Sequence, residues 1–187
     1  MRAVFAPTLA FCLASMLSAG QSLPAGWMLA GDKPKEYTVN VVTTGHTGAK
    51  AALLDCVATK PSGFGTLMQM FDATKYRGKR LRLTSYVKTN DVTGWAGLWM
   101  RVDGSSAPSL AFDNMQDRPI KGTTNWVQYS VVLDVPDSAQ AIAFGVLLHG
   151  AGSAWVDDFN FEVVGPEVAT SGKPSLPSTP QNLGFEN

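Results

Sequence analysis

Leu81-Arg82-Leu83-Thr84-Ser85-Tyr86-Val87-Lys88 alternates apolar and polar residues with a period of two. In an extended strand that period puts Leu81, Leu83 and Val87 on one face and Arg82, Thr84, Tyr86 and Lys88 on the other. The same alternation recurs on either side. In Trp126–Val135 the odd-numbered positions are apolar, and Pro136 ends the run. Ile142, Phe144, Val146 and Leu148 alternate with small residues up to His149-Gly150, and Val156–Val164 reads as a further strand. Gly, Pro, Asn or Asp bounds each run, and no long segment holds a capped 3.6-residue period. The pattern predicts strands near 36–43, 50–57, 66–71, 80–89, 94–102, 109–114, 126–135, 141–149 and 154–164, with one short helical turn at 72–78 and a similar turn at 137–140. So many short strands with no helices between them specify an all-β sandwich or barrel.

The ends of the chain differ from this centre. Arg2 precedes a nearly unbroken apolar run, Val4 to Leu17, and Ser18-Ala19-Gly20 supplies small residues. That order is expected of a cleaved signal peptide at 1–20, exporting the protein to the periplasm or beyond, and the run is short for a membrane span. Cys12 would leave with the signal, so Cys56 could form no intramolecular disulfide, and its strand-like setting predicts a buried structural thiol. The chain holds 15 basic and 15 acidic residues, and losing Arg2 leaves 14 against 15. Such a balance is not expected to attract nucleic acid or an anionic membrane. The expected domain spans 21–164. Gly165 to Pro180 reads as a Pro/Ser/Thr-rich linker.

From Pro61 to Val164 the chain resembles a family of bacterial jelly-roll domains related to carbohydrate-binding modules, galactose-binding-like in fold. The resemblance rests on Gly63–Gln69, Gly94–Asp103, Leu110–Ile120, Thr124-Asn125-Trp126 and Trp155–Phe159. Relatives of this kind also occur attached to helix-turn-helix transcription regulators. The resemblance implies an antiparallel jelly-roll sandwich. The export signal, with no DNA-binding region, argues against a regulator role here. In related modules an Asn-x-x-Phe-Glu segment opens the domain and pairs with the closing strand. Here Asn182-Leu183-Gly184-Phe185-Glu186 carries that pattern at the far end, so residues 181–187 are expected to return and supply an edge strand. Related modules often keep a structural Ca²⁺ near that segment, and Asp158 with Glu186 is the candidate pair. No other cofactor is expected.

Site chemistry concentrates in Gly94–Asp103. Ala96, Leu98, Met100 and Val102 suit the core, whereas Trp95, Trp99 and Arg101 point the other way. Exposing two indoles and a guanidinium is costly without a ligand. Flat aromatic faces flanked by polar groups suit a sugar, whose C–H faces stack and whose hydroxyls need partners. Tyr86 is placed beside this platform, and Asn114, Gln116 and Arg118 at its rim. The alternatives are that the rings pack under a loop or on a second face of the core, and that Asp117-Arg118 is a turn-closing ion pair. Neither His46 nor His149 has metal-type spacing, and no nucleophile elbow, phosphate loop or dinucleotide fingerprint occurs. The expected function is a non-catalytic module binding a glycan or similar polar ligand. The rival readings are a protein-interaction module, including a homodimer, and a small carbohydrate-active enzyme using two of Asp103, Asp113 and Asp117.

Overall fold

The computed structural model describes residues 23–105, 109–171, 180, 183 and 184. The predicted signal lies outside the described residues, as does most of the predicted returning strand. Leu183 and Gly184 form an exposed turn.

The strands are β1 (Met28–Gly31), β2 (Tyr37–Val42), β3 (Ala51–Cys56), β4 (Phe64–Asp72), β5 (Lys79–Gly104), β6 (Ala111–Asp113), β7 (Ile120–Val135), β8 (Ala139–His149) and β9 (Ser153–Val164). All pair antiparallel, and β5 divides them into two layers. Its first half lies between β7 and β9, and the back layer runs β7-β5-β9-β3-β2. Its second half lies between β8 and β6, and the front layer runs β1-β4-β8-β5-β6. The result is an antiparallel jelly-roll sandwich, in agreement with the sequence.

The two strands predicted at 80–89 and 94–102 are one ribbon. Register shifts between Val87, Thr89, Val92 and Ala96 carry it from the back layer to the front. Such irregularities bend a strand and raise its twist, and so turn a corner without ending it. Leu81, Leu83, Val87, Leu98, Met100 and Val102 are fully buried, so the alternation survives the corner. Phe144 on β8 meets Phe161 on β9 edge-to-face at 4.8 Å, which joins the layers. Trp27 packs on Phe144 and Phe159. Cys56 is half-buried and free, with its thiol pushed up by burial.

β1 was not predicted as a strand. It is four residues long and covers the edge of β4, so its pairing is a product of the fold and not of local pattern. Gly165–Ser171, read as the start of a linker, is docked along β7. Arg80 Nη1 donates to the carbonyls of Pro166 and Val168, and the Ser171 N–H donates to the Val132 carbonyl at 2.9 Å.

Tyr37 ties two loops to the core. Its hydroxyl is shared between the carbonyls of Gly63 at 2.7 Å and Gly150 at 3.1 Å. Burial, reinforced by Cys56, pushes the phenol from 10.0 up to about 12. Because the folded value is raised, the contribution is complete below pH 10, the unfolded value, and is lost as pH climbs towards 12. Denaturant unfolding between pH 8 and 12 is expected to show this alkaline loss in the native protein. Tyr37→Phe should be less stable at neutral pH but lack that component. An identical pH dependence in the two proteins would contradict the assignment.

Candidate ligand-binding site

Antiparallel register arranges the outer face of the front layer in cross-strand rows. Phe64, His149 and Trp95 form one row, and Thr66, Leu147 and Gly97 the next. Met68, Gly145 and Trp99 follow, then Ala143, Arg101 and Phe112. The larger side chains of these rows, His149 excepted, line a cleft of about 420 Å³ together with Ala30 and Gly31 of β1 and with Asn114. Trp95, Trp99, Arg101 and Asn114 are therefore brought together as the sequence predicted.

The two indoles play different parts. Trp99 is only 6% exposed, packed with buried Ala143 and Leu147. Its Nε1–H donates to Thr66 Oγ1 at 2.7 Å, and the Thr66 hydroxyl donates to the Val146 carbonyl at 2.8 Å. Trp99 is thus the floor of the cleft, a small second core on the outer face, and not an open platform. Trp95 is half-buried and lies nearly parallel to the His149 ring. Phe112, 45% exposed, forms the opposite wall. Gly97 makes room for the crossing chain. A Cβ there would sit 2.7 Å from the Asn114 carbonyl oxygen.

Polar groups in the cleft are few. Arg101 donates Nε and Nη2 to the two carboxylate oxygens of Asp103, at 2.7 and 2.9 Å, so its charge is matched locally. Such a bidentate pair holds the guanidinium plane at a set angle. Asn114 Oδ1 accepts the Gln116 N–H at 3.2 Å.

Tyr86, Gln116 and Arg118 are placed elsewhere. Tyr86 precedes the corner of β5 and lies in the back layer, with the His46 ring stacked on it at 3.6 Å. The expectation that it neighbours Trp95 assumed two separate adjacent strands, whereas one ribbon crosses between layers. Gln116 lines a neighbouring cleft of about 440 Å³ beyond Phe112 and Asn114. Arg118 is the centre of an ion-pair cluster, gripping Asp117 at 2.8 Å and the nearly buried Asp113. Ser171 Oγ donates to the same Asp113 carboxylate at 2.6 Å. This is the turn-closing role, extended to fasten the C-terminal segment.

Asp103, Asp113 and Asp117 are each held by an arginine, and none lines the aromatic cleft. Asp158 Oδ2 accepts hydrogen bonds from Thr47 Oγ1 at 2.6 Å and His46 Nδ1 at 3.1 Å, which hold its carboxyl below the usual range. Asp157 accepts the His46 N–H at 2.8 Å. Adjacent strand residues normally face opposite ways, but Asp158 has a φ of +55° and turns both carboxylates onto one loop. One oxygen of each carboxylate is bonded to His46 or Thr47, and Glu186 lies outside the described residues. Among the described residues no three His, Cys, Asp or Glu side chains gather as metal ligands.

Phe64, Thr66, Met68, Leu147 and Phe112 were not predicted for the site. One signal was available in β8. The small Ala143 and Gly145, alternating with the core positions, leave space on the outer face that Trp99 fills.

No family model matches the chain. It is 43% identical over 166 residues to the uncharacterized HTH-type transcriptional regulator YbfP of Bacillus subtilis (strain 168), covering 86% of this chain and 56% of the relative, so it spans little more than half that protein's length. Among solved structures, the CBM22-1 xylan-binding domain of Paenibacillus barcinonensis Xyn10C is 12% identical with a TM-score of 0.54, over 74% of this chain and 86% of that domain. The C-terminal family 22 carbohydrate-binding module of Clostridium thermocellum Xyn10B is 13% identical with a TM-score of 0.51, over 81% of this chain and 91% of the module. The enzymatically active domain of bacteriophage CBA120 tailspike protein 4 is 13% identical with a TM-score of 0.57, over 75% of this chain and 20% of that one. At these identities the likeness to the solved structures is one of fold.

Proposed function

We propose that the domain is a non-catalytic binding module holding a glycan ring in the front-layer cleft. One observation carries this reading: Trp95, Phe64 and Phe112 surround a concavity of about 420 Å³ over a Trp99 floor, with Arg101 and Asn114 on its border. Aromatic walls supply affinity by burying C–H faces, and the polar groups set orientation. The sandwich shared with carbohydrate-binding modules supports the reading, and the engagement of Asp103, Asp113 and Asp117 by arginines supports a non-catalytic role. The N-terminal apolar run supports export, which would put the cleft among extracellular or periplasmic glycans.

Trp95→Ala is the direct test, because Trp95 borders the cleft without forming its floor. On a glycan array followed by titration calorimetry, the native chain should bind at least one glycan class. The variant should bind it about tenfold more weakly or worse, with little change in melting temperature. Undiminished binding by the variant would remove this cleft as the site.

A second reading has its own support. Met28 and Phe112 at 45% and Met70 at 47% exposure ring the same face, which suits a protein partner or a second copy. A dimeric mass in solution that Met70→Glu converts to a monomer would favour it.

A further inference from the structure

The polar groups of the cleft are nearly all spent within the protein. Trp99 Nε1–H is given to Thr66, and the Thr66 hydroxyl to Val146. Arg101 gives Nε and Nη2 to Asp103, which lies outside the lining. Asn114 Oδ1 is held by Gln116. Among the described residues, the polar side-chain atoms of the lining left without a partner are Arg101 Nη1, Asn114 Nδ2 and Trp95 Nε1. All three are hydrogen-bond donors. The rest of the side-chain wall is apolar: Phe64, Met68, Phe112, Leu147 and the Trp95 ring face.

A site whose free side-chain groups are all donors discriminates among sugar substituents. A hydroxyl is both donor and acceptor, and against side-chain donors alone its own proton goes without a side-chain partner, which costs free energy in a desolvated cleft. A carboxylate is acceptor-only, but Arg101 is already neutralised by Asp103, so its desolvation would be poorly repaid. An acyl carbonyl is acceptor-only and neutral, and its methyl group adds apolar surface.

Resting on the glycan reading, we infer that the cleft selects acetylated sugars. The acyl oxygen accepts from Arg101 Nη1 and Asn114 Nδ2, and the acyl methyl lies against the aromatic wall. Asp103 acts as a positioning residue, turning the free edge of Arg101 to the ligand. The chemistry is common to N-acetylated amino sugars and O-acetylated plant-type polysaccharides, and the experiment separates them.

The full chain is titrated with β-1,4-linked N-acetylglucosamine trimer against the β-1,4-linked glucose trimer, and with O-acetylated xylo-oligosaccharides before and after alkaline deacetylation. At least one acetylated member is expected to bind about tenfold tighter than its unacetylated counterpart, the worth of one charge-assisted hydrogen bond. Preference in the first pair identifies an N-acetyl ligand, and preference in the second an O-acetyl one. Arg101→Gln combined with Asn114→Ala should bring the ratio towards one. Unacetylated members binding as well or better would overturn the acyl selectivity while leaving the glycan reading in place. So would a preference that survives the double variant. Failure of all four, with no binding on a general glycan array, would overturn both.

Discussion

Trp99→Ala is expected to lower stability by roughly 3–5 kcal/mol, the range for truncating a buried large aromatic. For a domain of this size that corresponds to a fall in melting temperature on the order of 10 °C. The expectation follows from where the ring lies. Although it points away from the main core, it is 6% exposed and packs on Ala143 and Leu147. The opposing position on β8 is Gly145, which has no side chain to fill the vacated volume. Truncation also removes the donor to Thr66 Oγ1. Ligand binding should be lost as well, because the cleft loses its floor. Trp99→Phe keeps most of the buried area and removes the hydrogen bond, so its cost should be about 1–2 kcal/mol. Thermal melts of the three proteins test this. Trp99→Ala at native stability would show that the ring is an open platform after all.

Gly145→Ala is expected to destabilise by about 3 kcal/mol or more, for a methyl group that a strand would ordinarily accept. Relieving a glycine usually stabilises a compatible site by about 0.4–1 kcal/mol through the unfolded chain. Here the added Cβ would lie 2.1 Å from the Leu67 carbonyl oxygen and 3.0 Å from the Met68 Cα. Both are backbone atoms, with no rotamer to swing aside, so β4 must shift from β8. That shift disturbs the row Met68–Gly145–Trp99 on which the cleft is built. Urea unfolding measures the loss, and Gly48→Ala is the control, since a Cβ there meets nothing within 4 Å. Equal stability in the two variants would refute the close approach.

Period-two alternation depends only on chain direction, so most strands and core faces were legible. Leu81, Leu83 and Val87, and likewise Ile142, Val146 and Leu148, are buried as their spacing requires. Ser85 was less legible. It is fully buried in the same strand, and its hydroxyl donates to the Asp157 carbonyl at 2.6 Å, a partner 72 residues away. β1 gave no signal because a four-residue edge strand is held by its neighbour and has little pattern of its own.

For the site, the sequence placed Trp95, Trp99 and Arg101 on one outward face, because residues two apart in a strand must share a side. It did not determine what that face meets. Phe64, Leu147 and Phe112 arrive through register between strands distant in sequence, and Asn114 through a loop crossing above Gly97. Tyr86 shows the opposite case. It lies only nine positions before Trp95, yet the corner in β5 sends it to the other layer. Local periodicity determined the side on which each residue stands. Strand order, register and the bend of one ribbon, all products of long-range packing, decided which of those residues share a cleft.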